Sequence, residues 1–111
     1  MAYQDLPQEL QENAKDAVHL LDTADSSARN AVFEARRCGD MYMMLNRFAL
    51  AVEDVERANS VAAALLRAQI VNEREARLIR NEGSKIMTQA ALDISRALTE
   101  KCHCSESTTH P

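Results

Sequence analysis

The chain has 111 residues, 27% of them charged, a net charge of −4, two glycines, two prolines and no tryptophan. That length suffices for one domain whose core needs no metal or disulfide staple, and the weight of Ala, Leu, Glu, Arg and Gln argues for helix throughout. The negative balance excludes a uniformly basic surface for nucleic acid or anionic membrane, although it is uneven, with six acids against Lys15 in residues 1–28 and nine arginines against seven acids in 29–80.

The opening MAYQDLPQEL carries acids where a secretion signal needs a basic region and an apolar run, which predicts a cytoplasmic chain. Three cysteines, an odd number, fit a reducing compartment better than a disulfide framework.

Pro7 stands where proline is favoured, in the first turn of a helix, and Glu9 and Glu12 complement the dipole there. From that point Leu10, Ala14, Ala17, Leu21, Ala24, Ala28, Ala31, Ala35 and Cys38 recur at alternating spacings of four and three, a heptad seam that predicts one helix of about 48 Å. Six of the nine are alanine, so a second helix can approach closely. Asp25, Ser26 and Ser27 are the weakest helix formers along it and predict a frayed or kinked turn.

Gly39 after Arg36, Arg37 and Cys38 reads as a helix end, and Asp40 as the cap of the next. The second helix is amphipathic, with Met41, Leu45, Phe48, Val52 and Val55 as its seam and Met44, Ala51 and Ala58 beside it. Glu53 with Arg57 and Glu73 with Arg77 are acid-first pairs four apart that support helix on both sides of residues 61–71. Asn59 and Ser60 either cap a new helix or lie within a continuous one, with continuity preferred.

Residues 61–71, VAAALLRAQIV, are apolar on nearly every side, interrupted only by Arg67 and Gln69. A helix of that kind has to be covered all round, as a central helix or a partner interface, and it is too short to span a bilayer, which takes about 20 apolar residues. Asn81, Glu82 and Gly83 then suggest a stop, with Ser84 capping a last helix whose face holds Ile86 or Met87, Ala90, Ala91, Ile94 and Leu98, although the period continues nearly in phase through Gly83, so a kinked continuation is the alternative. The resulting expectation is an all-α bundle of three or four long antiparallel helices over residues 1–103, with a disordered tail at 104–111. A homodimer is expected, because one chain offers more apolar helix face than it can cover.

Four clusters invite chemistry. Cys102, His103 and Cys104, with His110 nearby, are metal-type ligands, but the spacing is closer than zinc sites use and they fall on a tail, so adventitious oxidation is the simpler reading. Cys38, on the alanine seam, reads as a small buried hydrophobe. His19 is followed by Leu20, Leu21 and Asp22, and an acid there would repel a phosphoryl group, so a phosphotransfer role is disfavoured. Residues 76–92 have a faint helix-turn-helix look, but Glu82 sits where packing requires an apolar residue and only Lys85, Thr88 and Gln89 face Asp93 on the would-be recognition helix.

Met41, Met43 and Met44 with Tyr42 and Phe48 form a soft cluster suited to adaptable binding, and four consecutive residues cannot all face one core. Met43, Met44, Leu65, Leu66 and Ile70 are therefore the candidate partner-binding residues. No nucleophile, base and orienting group fall together, so an enzyme is not expected and no cofactor is implied. In format, a short acidic Ala- and Leu-rich helical chain with no catalytic motif, the sequence resembles the small bacterial antiactivators of quorum-sensing transcription factors. That resemblance implies a regulator that binds and inhibits a LuxR-type protein by blocking its dimerisation. The alternative is a metal- or redox-responsive module using Cys102, Cys104 and a histidine.

Overall fold

The computed structural model describes residues 6–100, an all-helical chain of four elements: α1 (Gln8–Asn13), α2 (Lys15–Arg36), α3 (Met41–Arg67) and α4 (Glu73–Glu100). The three long helices run up, down and up and pack on one another, with α1 on the start of α2. None is long and apolar enough to cross a membrane among the described residues.

The alanine seam forms the spine. Leu10, Ala14, Ala17, Leu21, Ala24, Ala28, Ala31 and Ala35 are all buried, whereas Cys38 is exposed. The helix expected over 7–38 is broken once, at Ala14 (φ −122°, ψ 41°), just after the weak helix former Asn13. Around the break Ala14 N–H still donates to Leu10 and Val18 N–H to Ala14, so the buried row continues through the kink. Asp25, Ser26 and Ser27 lie in unbroken helix, stabilised by the Asp25–Arg29 pair at 3.0 Å, and Pro7 is the N-cap residue, outside the first turn.

On α3 the buried row is Met44, Ala51, Val55, Ala58 and Ala62. The row of larger side chains expected to form the seam is rotated toward solvent, with Met41 and Leu45 exposed and Phe48 and Val52 half-buried. Alanine faces alanine because helices can approach to about 8 Å only where side chains are small. Dispersion attraction between backbones along the whole length then outweighs the burial of a few bulky groups. The helix continues through Asn59 and Ser60.

Residues 61–71 are not one covered helix. The helix ends at Arg67, where Gln69 takes the left-handed conformation (φ 62°), Ile70 N–H donates to Leu65 and Gln69 N–H to Leu66. This pattern closes a helix and satisfies its last carbonyls. Within the stretch Ala62 and Val71 are buried, Ala63, Ala64 and Ile70 are exposed, and Leu65 and Leu66 lie between. The α2 end is closed in the same way, with Cys38 at the left-handed position (φ 55°) and Gly39 one place later, its N–H donating to Glu34. Asp40 caps α3 as expected, accepting from the Tyr42 N–H at 2.7 Å.

The stop expected at residues 81–84 is absent. α4 starts at Glu73, set by a reciprocal cap in which Asn72 Oδ1 accepts from Glu75 N–H (2.8 Å) and Glu75 Oε1 from Asn72 N–H (2.9 Å). It then passes straight through Gly83. A Cβ on Gly83 would lie 2.8 Å from Val55 Cγ1 and 3.6 Å from Leu21 Cδ2, so at this glycine α4 approaches both other long helices closely. With no turn there, the helix-turn-helix reading fails. Glu82 is buried within the helix, its Oε1 accepting from Lys85 Nζ at 3.1 Å and its Oε2 without a hydrogen-bond partner among the described residues.

Candidate partner-binding surface

Leu10, Leu21, Ile79 and Ile86 are buried among the alanines, but several large apolar side chains are left outside, and they are unevenly placed. Nine of the described residues are exposed large hydrophobics, and five of these, Phe33, Met41, Tyr42, Met43 and Leu45, fall within the α2–α3 corner. Tyr42 is the most exposed, at 84%. It occupies the second position of α3, held out by the Asp40 cap that fixes the entry of the helix. Phe33 lies on the back of the last full turn of α2, with the Arg37 guanidinium 5.3 Å from its ring centroid. Arg37 also pairs with Glu34 at 3.4 Å, so the aromatic ring, the cation and the acid form one small array at the helix end.

The candidate residues separate on the structure. Met43 is exposed at this corner, 41% of it, while its neighbour Met44 is 6% exposed and packs with Ala31, Ala35 and Ala97. Met44 is therefore core, because the alanine row to which it belongs faces inward. Leu65 and Leu66 are half-buried against the main core at the far end of α3, and Ile70 is exposed in the turn after it. A helix of 27 residues separates Met43 from Ile70 by about 40 Å, so these residues do not form one site. Phe33, and Leu98, which was expected on the inner face of the last helix but is 40% exposed, extend the apolar surface beyond the candidate partner-binding residues. Phe33 was legible, since it falls between Ala31 and Ala35 and out of phase with the seam.

Other chemistry-bearing residues are dispersed. His19 is an exposed residue of α2, and no group of three His, Cys, Asp or Glu side chains is placed to hold a metal among the described residues. Cys102, His103, Cys104 and His110 lie outside the described residues, as does the expected tail. Cys38 is disulfide-bonded, not the inert buried thiol its place on the seam suggested. An open groove of about 780 Å³ between α2 and α4 is floored by Ala28, Val32, Ile86 and Ala90 and rimmed by Asp25, Arg29, Arg36, Lys85 and Asp93. Its mixed charges are those of a solvated flank.

Comparison with protein-family models, curated proteins and solved structures finds no match for the chain.

Proposed function

We propose that this chain is a protein-binding helical module that works by occupancy, presenting the α2–α3 corner to another protein and holding that protein inactive. The observation that carries the reading is the exposure of Tyr42 and Met43 beside Phe33 on a capped helix start. Aromatic and methionine side chains on rigid helix supply contact area at low entropic cost and are enriched where proteins bind one another. The Phe33 ring, with Arg37 over it and Glu34 paired to Arg37, adds an aromatic surface with a polar edge. The resemblance to quorum-sensing antiactivators makes the dimerisation surface of a LuxR-type regulator the first partner to try.

The test is a co-purification and reporter assay with LuxR-type regulators, using wild-type chain, Tyr42→Ser and Met43→Glu. Each substitution should weaken binding by 1 kcal/mol or more, as central interface residues do, with unchanged helicity by circular dichroism. Binding and inhibition equal to wild type in both variants would remove the corner from the interface.

A further inference from the structure

The grooves beside the long helices differ in charge. The α2–α4 groove carries Asp25, Arg29, Arg36, Lys85 and Asp93, and on one flank of α3 Arg47 and Asp54 bracket Leu50 at helical spacing. The flank where α3 meets α4 is different. Phe48 and Ile94 both pack, half-buried, on the cluster of Ala31, Ala35, Met44 and Ala97. Residues three, four and seven positions away share a helix face; on the outer side of Phe48 these are Met41, Leu45 and Val52, on that of Ile94 Met87, Ala91 and Leu98, with Lys101 seven positions beyond Ile94 in sequence. None of the eight described residues is charged, and Met41, Leu45 and Leu98 are 52%, 55% and 40% exposed. Of the next positions outward, Ala49 and Ser95 are exposed and uncharged, and the exposed Glu56, four after Val52, bounds the strip at one end.

We infer that a second copy of this chain covers the α3–α4 strip, the two copies meeting face to face about a two-fold axis. Residues 1–5 and 101–111 of this sequence are poor covers for the strip. Residues 101–111 contain no Val, Leu, Ile, Met, Phe or Tyr. Residues 1–5 precede Leu6, which clusters with Val71 at the opposite end of the bundle. Five residues reach at most about 17 Å, whereas Arg67 and Leu45 are roughly 33 Å apart along α3.

Charge then selects between a copy and an unrelated protein. A two-fold contact sets each patch against itself, so any charge near the axis meets its own image, and a strip with no charge is the surface that tolerates this. A foreign partner is ordinarily steered and registered by complementary charge, which this strip lacks between residues 41–52 and 87–98. Small residues at Ala49 and Ala91 let the paired helices approach, and rows at spacings of three and four interdigitate as in a four-helix bundle of α3, α4 and their copies.

Sedimentation velocity of the full chain over about a hundredfold concentration range spanning the micromolar region reads the association directly. The wild type should shift from monomer to dimer mass, and Leu45→Glu and Leu98→Glu should each weaken the dimer about tenfold or more with helicity unchanged. Should Leu45→Glu lose helicity, Ala91→Glu, at a small exposed site, interrogates the same contact. Leu50→Glu, on the other flank of α3, should leave the dimer intact. A wild type that stays monomeric overturns the inference, and so does a dimer indifferent to charge at positions 45, 91 and 98. Tyr42→Ser should leave the dimer mass unchanged, so a failure of the corner as a partner site and a failure of the dimer read out separately.

Discussion

Gly83 and Glu82 show how one residue's role depends on what stands opposite it. In sequence, Asn81 to Ser84 has the composition of a helix stop, and glycine is a poor helix former. In the bundle Gly83 is retained inside α4 because Val55 Cγ1 occupies the space a Cβ would need, at 2.8 Å. Gly83→Ala should therefore destabilise the protein, since overpacking costs about 1–3 kcal/mol against a helix-propensity gain of about 1 kcal/mol. In a Val55→Ala background the same change should become neutral or favourable, and a double-mutant cycle by urea unfolding measures the difference. A single Gly83→Ala variant with raised stability would show that α4 is not held at this distance. Glu82 carries the opposite lesson: among the described residues its carboxylate pairs through Lys85 and leaves one buried oxygen without a hydrogen-bond partner. Replacing a buried ionic group by an apolar one of similar size is often neutral or stabilising by about 1–4 kcal/mol. Glu82→Met should thus leave the melting temperature unchanged or raise it, and a clear fall would mean that the carboxylate has a partner of greater weight.

At the level of elements, the sequence was legible where periodicity spoke and misleading where helix ends did not use glycine. The seam along α1 and α2 placed eight residues in the core from spacing alone, because alanine at alternating threes and fours has only one face to bury. The α3–α4 break was missed because its left-handed residue is Gln69, which carries no compositional signal. The signal that was there is Asn72 with Glu75, a reciprocal cap three residues apart. Asn72→Ala should cost about 1 kcal/mol, as N-cap losses do. Glu75→Ala should cost less alone and almost nothing once Asn72 is gone, because each side chain satisfies the other's backbone N–H. Additive losses in thermal unfolding would show that the two caps act independently. The surface was only partly legible for a related reason: Met43 and Met44 are alike in type, and one row of helical phase separates an exposed contact from a buried one.

Over the whole molecule, alanine rows between the long helices and large side chains exposed at the α2–α3 corner form a single arrangement with two consequences. The long helices meet along alanine rows, Ala17, Ala24, Ala28 and Ala31 on α2 and Ala51, Ala58 and Ala62 on α3, all nearly inaccessible. Each position buries little area, so no single truncation there removes much, but each is also filled by its neighbours' backbone and leaves no room for growth. Larger apolar residues, which stabilise most helical surfaces when buried, should here destabilise. Ala58→Leu and Ala24→Leu, both at 0% exposure, should each cost about 1–3 kcal/mol, or more if the helices must part along their length to admit the side chain. The corner residues should behave in the reverse sense, since Tyr42→Ser removes a side chain that the fold does not bury and belongs to the class of surface changes worth about 0.5 kcal/mol or less. Urea midpoints at constant slope compare the two sets on one scale. If Ala58→Leu is tolerated while Tyr42→Ser unfolds the chain, the helices are not packed along alanine and the corner is part of the core, which would remove both the seam and the partner-binding surface built on it.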